Sequence, residues 1–244
     1  RVLLEVATKV CRPEDLAIFH LDHQTRTETK RDFEFVKKLC EDKKIRFYGE
    51  ILESKPSKNK ENSWRKIRQQ LSKKCAEDFG AARILTAHHA TDLAETMIFR
   101  LVKGAGAKGL SPFDTHTKPF WKLPKSVLET YAREHQLEWR EDETNDEIQY
   151  ERNLIRHNVL PELRKITPNL EKVMVNESII FGEMADFLEQ LGGRYGHMPL
   201  PNEKKILLSE FQNLPLVLQR AFLRKITTPT PSFAEMEDAL KWLH

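Results

Sequence analysis

Between Arg83 and Leu110 the chain reads R-I-L-T-A-H-H-A-T-D-L-A-E-T-M-I-F-R-L-V-K-G-A-G-A-K-G-L, and this stretch concentrates the residue types that can do chemistry. Asp92 and Glu95 are three residues apart, so on a helix they point the same way, with Arg100 and Lys103 following within three turns. His88 and His89 stand just before them, at the helix N-terminus. Two imidazoles and two carboxylates can hold a divalent metal, bind an amine or move protons near neutral pH, and a helix N-terminus favours an anion. Gly104, Ala105, Gly106 and Gly109 make a small-residue turn after the helix, where backbone can approach a ligand closely. Taken singly, each residue has a plainer explanation: His residues at a helix start often only cap it, and Asp/Glu pairs are usually solvated. The coincidence of H-x-x-D-x-x-E with K-G-A-G-x-x-G-L argues for a site.

Elements must hold these groups in place. Ile84 and Leu85 open an apolar run that predicts a buried strand ending in Thr86, Ala87, His88 and His89. From Thr91 the period changes to that of a helix, with Leu93, Met97, Ile98, Leu101 and Val102 on one face and Thr91 or Asp92 as cap. The same layout precedes it. Residues 1 to 10 read as the tail of an amphipathic helix ended by Cys11-Arg12-Pro13. Leu16 to Leu21 is an apolar strand ending in Asp22-His23-Gln24-Thr25-Arg26. A helix over 29–43, an alternating strand over 45–51 and a helix from Ser63 to Phe79 follow. The alternation of strand and helix predicts an α/β fold with a parallel sheet, whose ligands sit outside the carboxyl ends of the strands, where Asp22, His23, His88 and His89 fall.

Further on, Lys118 to Leu123 reads as a short extended piece, Ser126 to His135 as a helix and Leu137-Glu138-Trp139 as a further strand. An acidic loop, Glu141 to Asp146, leads into a helix that begins near Tyr150 and stops near Pro161. On it Arg152 and Arg156 share a face and could grip a phosphate or a carboxylate, or anchor the acidic loop. Residues 168–191 form a long amphipathic helix, Gly192-Gly193 marks a break, and Leu207 to Leu223 and Phe233 to Leu243 are helical in pattern.

Composition sets the class. With 244 residues and 39% hydrophobic content, the chain supports one large or two small domains. No run approaches the roughly 20 apolar residues of a membrane span, and the start does not read as a signal peptide, so the expected location is the cytoplasm. Cys11, Cys40 and Cys75 lack the spacing of a zinc site, an iron–sulfur cluster or a disulfide framework. Net charge is +3, but Lys55 to Lys74 carries eight Lys/Arg against Glu61 alone, while Glu138 to Glu147 carries six acids against Arg140. The basic stretch could meet phosphate or be a solvated helix face; a polyanion would be oriented by the asymmetry.

Read together, L-D-H-Q-T-R, R-K-I-R, I-L-T-A-H-H-A-T-D-L-A-E-T, R-L-V-K-G-A-G-A-K-G-L and E-D-E-T-N-D-x-x-x-x-R-N-L-I-R-x-x-V-L-P-x-L resemble the bacterial tRNA(Ile)-lysidine synthetase family, a branch of the PP-loop ATP pyrophosphatases. The order and spacing match over about residues 1–165, and more weakly L-P-x-x-L-Q-R-A-F-L-R is similar to that family's small helical domain. The resemblance implies a Rossmann-like PP-loop domain (adenine nucleotide alpha hydrolase-like) over 1–165, a linker helix over 166–192 and a small helical tRNA-binding domain over 193–244. It implies a ligase that uses ATP and Mg2+ to adenylate the C2 carbonyl oxygen of the wobble cytidine of a CAU-anticodon tRNA(Ile), after which L-lysine displaces AMP to give lysidine.

On that resemblance His88, His89, Asp92 and Glu95 are catalytic, with Asp92 and Glu95 receiving lysine's ammonium or Mg2+. Arg65 and Arg68, in the family's paired-arginine position, neutralise charge on ATP or the adenylate. Arg100, Lys103, Arg152, Asn153 and Arg156 contact substrate, and Asp22, His23, Thr86, His88, Gly104 and Gly106 contact the nucleotide. The family's S-G-G-x-D-S phosphate loop, placed before Val2-Leu3-Leu4, is expected upstream of Arg1. Thr91 and Leu93 stand where the family usually has Asp and Gln, Thr25 where Leu is common and Gln69 where Tyr is. A homodimer is left open, as are three rival functions: another PP-loop tRNA-modifying enzyme, a degenerate non-catalytic tRNA-binding relative, and a metal-dependent hydrolase built on His88, His89 and Asp92.

Overall fold

The computed structural model describes residues 1–22, 28–52, 60–139, 151–194, 207–229 and 231–244; the side chains of 28–29, 60–65, 192–194 and 225 are also outside the description. The chain divides into two compact units, Arg1–His89 with Asp114–Asn145, and Ala90–Phe113 with Asp146–His244.

In the first unit, helix α1 (Val2–Val10) precedes strand β1 (Ala17–Asp22), helix α2 (Glu28–Asp42), strand β2 (Arg46–Ile51) and helix α3 (Lys60–Phe79). β1 and β2 are parallel, in register from Ala17 opposite Arg46 to Asp22 opposite Ile51. α2 is the crossover such a pair requires. Leu4, Cys40 and Ile45 are buried together, with Leu16, Ile18, Val36, Leu39 and Phe47 packed on them, so α1 and α2 cover the strands. Phe33 lies edge-on to Phe47 at 5.3 Å and caps the sheet above Gly49, where any Cβ would collide with the Phe33 ring.

Three expected strands are absent among the described residues. Ile84 to Thr86 has no ladder: the Thr86 amide donates to the Thr117 carbonyl at 2.9 Å, but Leu85 is 45% exposed, so the run lacks the double-sided burial a parallel strand needs. Lys118 to Leu123 forms tight turns instead of an extended piece, with Trp121 N–H donating to Lys118 and Leu123 N–H to Phe120; the turns bury Phe120. Leu137 is buried because the chain reverses after the helix Lys125–Glu134: Gln136 adopts φ +51° and the Leu137 amide donates back to Ala132.

The second unit is helical. Helix α4 (Ala90–Val102) and the short α5 (Ala107–Leu110) pack on the long helix α9 (Leu170–Arg194); between them in sequence lie α6 (Lys125–Glu134, in the first unit), α7 (Glu151–Leu154) and α8 (Leu160–Ile166). Ala94, Ile155, Leu160 and Leu170 form the core of this bundle. α7 does not stop near Pro161. A π-helical turn, Ile155–Val159, carries it into α8, and the helix runs on past Pro161, with the Leu160 amide donating back to the Ile155 carbonyl just before the proline. Helices α10 (Leu208–Asn213), α11 (Leu216–Ile226) and α12 (Phe233–Leu243) gather around Phe211, Leu218, Phe222 and Met236, with Leu188 and Leu191 of α9 joining them. The pattern over 207–223 is thus two helices, parted at Leu214-Pro215. Ser232 and Glu235 close a capping box on α12.

Candidate active site

α4 forms where the sequence period changes, and its inward residues Leu93, Ala94 and Met97 are buried. That orientation brings Glu95, 5% exposed, into the bundle with its carboxylate. Thr91 is not the cap its position suggests: α4 begins at Ala90 and the Thr91 hydroxyl donates to Glu171 at 3.4 Å, which the Arg164 guanidinium also holds.

Burying a carboxylate requires compensation. Arg156 supplies it from the π-helical turn, with Nε donating to Oε1 of Glu95 at 2.6 Å and Nη2 to Oε2 at 3.0 Å. Asp92 lies 3.5 Å from the same guanidinium. The hydrogen bonds to Glu95 hold Arg156 more firmly protonated, against the opposing effect of burial. Side-chain exposure grades outward, 7% for Glu95, 23% for Asp92 and 32% for Arg156. Glu95 is the anchor, and Asp92 and Arg156 present one negative and one positive group side by side.

The neighbouring positions continue the theme. Arg152 lies over the Phe99 ring at 5.9 Å and Lys103 over the same ring at 5.6 Å; Lys103 also pairs with Glu151 at 2.7 Å. Asn153 is half-buried on α7. Arg100 donates to the Gly109 carbonyl at 2.9 Å, closing the glycine turn from the α4 side, and Gly104 takes φ +79°, a conformation that favours glycine.

In the first unit, Asp22 is buried at the carboxyl end of β1 and its carbonyl accepts from the Leu52 amide at 3.0 Å. His88 and Thr86 are brought together, Nδ1 to Oγ1 at 2.8 Å, while His89 is half-buried. Arg68 is exposed on α3, as are Lys66, Lys73 and Lys74; His23, the Arg65 side chain and the acidic loop lie outside the described residues. His88 and His89 belong to one compact unit and Asp92 and Glu95 to the other, so the four residues divide two and two.

His20, two residues before Asp22 on β1, is a residue that the motifs pass over. Burial pushes its imidazole below the usual histidine range, and the charges that act on it come from Asp22 and Asp32, which oppose the shift, and Arg68, which adds to it. A signal is present in the sequence: in a strand, His20 and Asp22 are two apart and share a face.

Residues 1–163 match the PP-loop domain. The chain belongs to the PP-loop family. It is 32% identical over 180 residues to the tRNA(Ile)-lysidine synthase of Thermotoga sp. (strain RQ2), covering 70% of this chain and 44% of that protein. The corresponding enzyme of Synechococcus sp. (strain ATCC 27144 / PCC 6301 / SAUG 1402/1) is 29% identical over 236 residues, 91% of this chain and 72% of its own. That of Persephonella marina (strain DSM 14350 / EX-H1) is 34% identical over 188 residues, 72% and 41%. The chain therefore spans less than half the length of the Thermotoga and Persephonella proteins. Among the described residues no helix is long and apolar enough to cross a membrane, and no three His, Cys, Asp or Glu side chains are grouped as metal ligands.

Proposed function

We propose that this chain carries the catalytic part of a tRNA(Ile)-lysidine synthetase, joining lysine to the wobble cytidine of a CAU-anticodon tRNA(Ile) at the expense of ATP. Its PP-loop membership supports the use of ATP, and relatives bearing that name span most of the chain. The observation that carries the reading is the Asp92–Arg156–Glu95 cluster. An amino acid is a zwitterion, and a half-exposed carboxylate beside a half-exposed guanidinium offers both of its charges a partner. In charge and shape a guanidinium such as that of Arg156 suits a carboxylate, and a carboxylate such as that of Asp92 suits an ammonium.

In the reaction the cytidine C2 oxygen bonds to the α-phosphorus of ATP as pyrophosphate leaves. A lysine amine then forms the C2–N bond as the C2–O bond to AMP breaks. The amine must lose a proton to attack; His88, held by Thr86, and His89 are the bases we assign to it. Arg68, Arg65, Arg100 and Lys103 would counter phosphate charge, with Asp22, His23, Gly104 and Gly106 on the nucleotide and Arg152 and Asn153 on substrate. Mg2+ does not fit between Asp92 and Glu95 as they stand, because it would meet the Arg156 guanidinium 2.6 Å from Glu95. Residues 193–244 are assigned to tRNA contact.

The test is ATP-dependent incorporation of labelled lysine into a CAU-anticodon tRNA(Ile) transcript, using the full-length protein. Asp92→Ala is expected to abolish incorporation while leaving tRNA affinity nearly intact. Binding of tRNA with no lysine incorporated and no AMP formed by the unsubstituted protein would overturn the reading in favour of a non-catalytic relative.

A further inference from the structure

Gly106 has φ −79° and ψ −178°, extended backbone that any residue adopts. Conformation does not demand glycine there. Space does: a Cβ on Gly106 would lie 2.5 Å from an Nη of Arg224, so the guanidinium of α11 occupies the place where a side chain would be. The turn and the C-terminal helices meet at this point, within one compact unit.

The other described arginine side chains of this unit are engaged. Arg100 donates to the Gly109 carbonyl, Arg152 lies over Phe99, and Arg156, Arg164 and Arg220 pair with Glu95, Glu171 and Glu237. Arg220 is one turn before Arg224 on α11 and is consumed by its pairing with α12, also lying over the Phe233 ring at 5.4 Å. The Arg224 side chain makes no hydrogen bond or ion pair among the described residues, and the residue is half-buried. A planar, permanently charged fork held against bare backbone with its donors unspent is suited to an oxyanion. Leu218, Phe222 and Leu223 are buried on the other face of α11, which fixes the helix and so aims the arginine.

We infer that Arg224 binds a phosphate group at the Gly104–Gly109 turn. The inference rests on reading the chain as an enzyme that takes ATP and tRNA, and both supply that group. Two measurements on the full-length protein separate the sources: affinity for a CAU-anticodon tRNA(Ile) transcript as a function of salt, and affinity for ATP without RNA. If the phosphate belongs to RNA, Arg224→Gln weakens tRNA binding about tenfold, the scale of one charge-assisted hydrogen bond, and lowers the salt slope by about 0.7–0.9, with ATP affinity unchanged. If it belongs to the nucleotide, ATP affinity falls about tenfold and the salt slope holds. Arg224→Lys keeps most of the salt slope, since it keeps the charge.

Should Arg224→Gln fail to fold, Gly106→Ala serves as the second variant, because its methyl displaces the guanidinium without removing it. A folded variant of either kind with both affinities unchanged overturns the inference and makes Arg224 a packing residue. Loss of lysine incorporation leaves these affinities measurable, so the lysidine reading and the Arg224 assignment fail separately.

Discussion

Arg156 meets Glu95 side-on, two nitrogens to two oxygens, so the pair is fixed in rotation as well as in distance. The fit has a matching neighbour. Arg152 and Arg156 are four apart, Phe99 and Glu95 are four apart in the opposite direction, and each arginine meets its partner on α4. Two helices running antiparallel thus share a two-rung ladder in which the second rung sets the candidate substrate groups.

Arg156→Ala strands a buried carboxylate. The expected cost is about 3 kcal/mol, the lower end for breaking a buried pair because Arg156 itself is partly exposed. A urea midpoint measures it. Arg156→Lys recovers only part of the loss, since an ammonium cannot make both bonds; full recovery would show that charge alone matters.

His20 is expected to make the protein sensitive to mild acid. Its folded pKa lies below the unfolded value, so the unfolded chain binds the proton more readily between the two. Stability is therefore full above about 6.5, the unfolded value, and declines as pH falls from there toward the folded pKa. Urea unfolding of His20→Gln across pH 5 to 8 is expected to show a flatter curve over that window than the unsubstituted protein.

The cysteines separate by reactivity. Burial, helped by Glu41, pushes the Cys40 thiol up to about 11, and Cys40 has no exposed surface, whereas Cys11 is exposed. Iodoacetamide at pH 8 followed by peptide mass spectrometry is expected to label Cys11 first and Cys40 only on unfolding. Early labelling of Cys40 would mean the α2–sheet packing opens readily.

Gly49→Ala tests the first unit's core. The added methyl drives into the Phe33 ring, and overpacking of this kind costs about 1–3 kcal/mol. Phe33→Leu, which removes the ring, should relieve part of that cost in the double variant.

The exposed lysines of α3 test the RNA surface. Lys73→Glu with Lys74→Glu is expected to weaken tRNA binding and flatten its salt dependence, by about 0.7–0.9 in slope for each phosphate no longer neutralised. An unaltered slope would make this a solvated face.

What the sequence discloses follows from periodicity. The pattern bounds Phe233–Leu243 to the residue, and α1, α2, β1, β2 and α4 lie within a few residues of their expected limits, because each carries its own pattern of apolar residues. The Ile84 strand fails because two apolar residues are too short a run to tell a buried strand from a partly exposed segment, and Leu85 is exposed. Pro161 reads as a stop in the sequence, but the helix runs on past it through the π-helical turn that precedes it, and a π turn leaves no local pattern of apolar residues to announce it. Within the site, Asp92 and Glu95 are legible by their spacing, but the Arg156 that holds them is 61 residues from Glu95. Arg224, far beyond Gly106 in the chain, gives no local sign of where it rests, since α11 is patterned for its buried face and leaves the other unspecified.

The π-helical turn at Ile155–Val159 bears on which changes in length this chain can inherit. Such a turn is a helix carrying one residue more than its regular winding needs, with the helical faces before and after it kept in phase. Loss of a single codon at His157 or Asn158 would return the segment to regular winding and leave Arg152 and Leu160 facing as they do. The same loss within Ala90–Val102 would swing everything downstream by about 100° and carry Ala94 or Met97 out of the core. Insertions and deletions among relatives are accordingly expected to gather at the π turn and to spare α4.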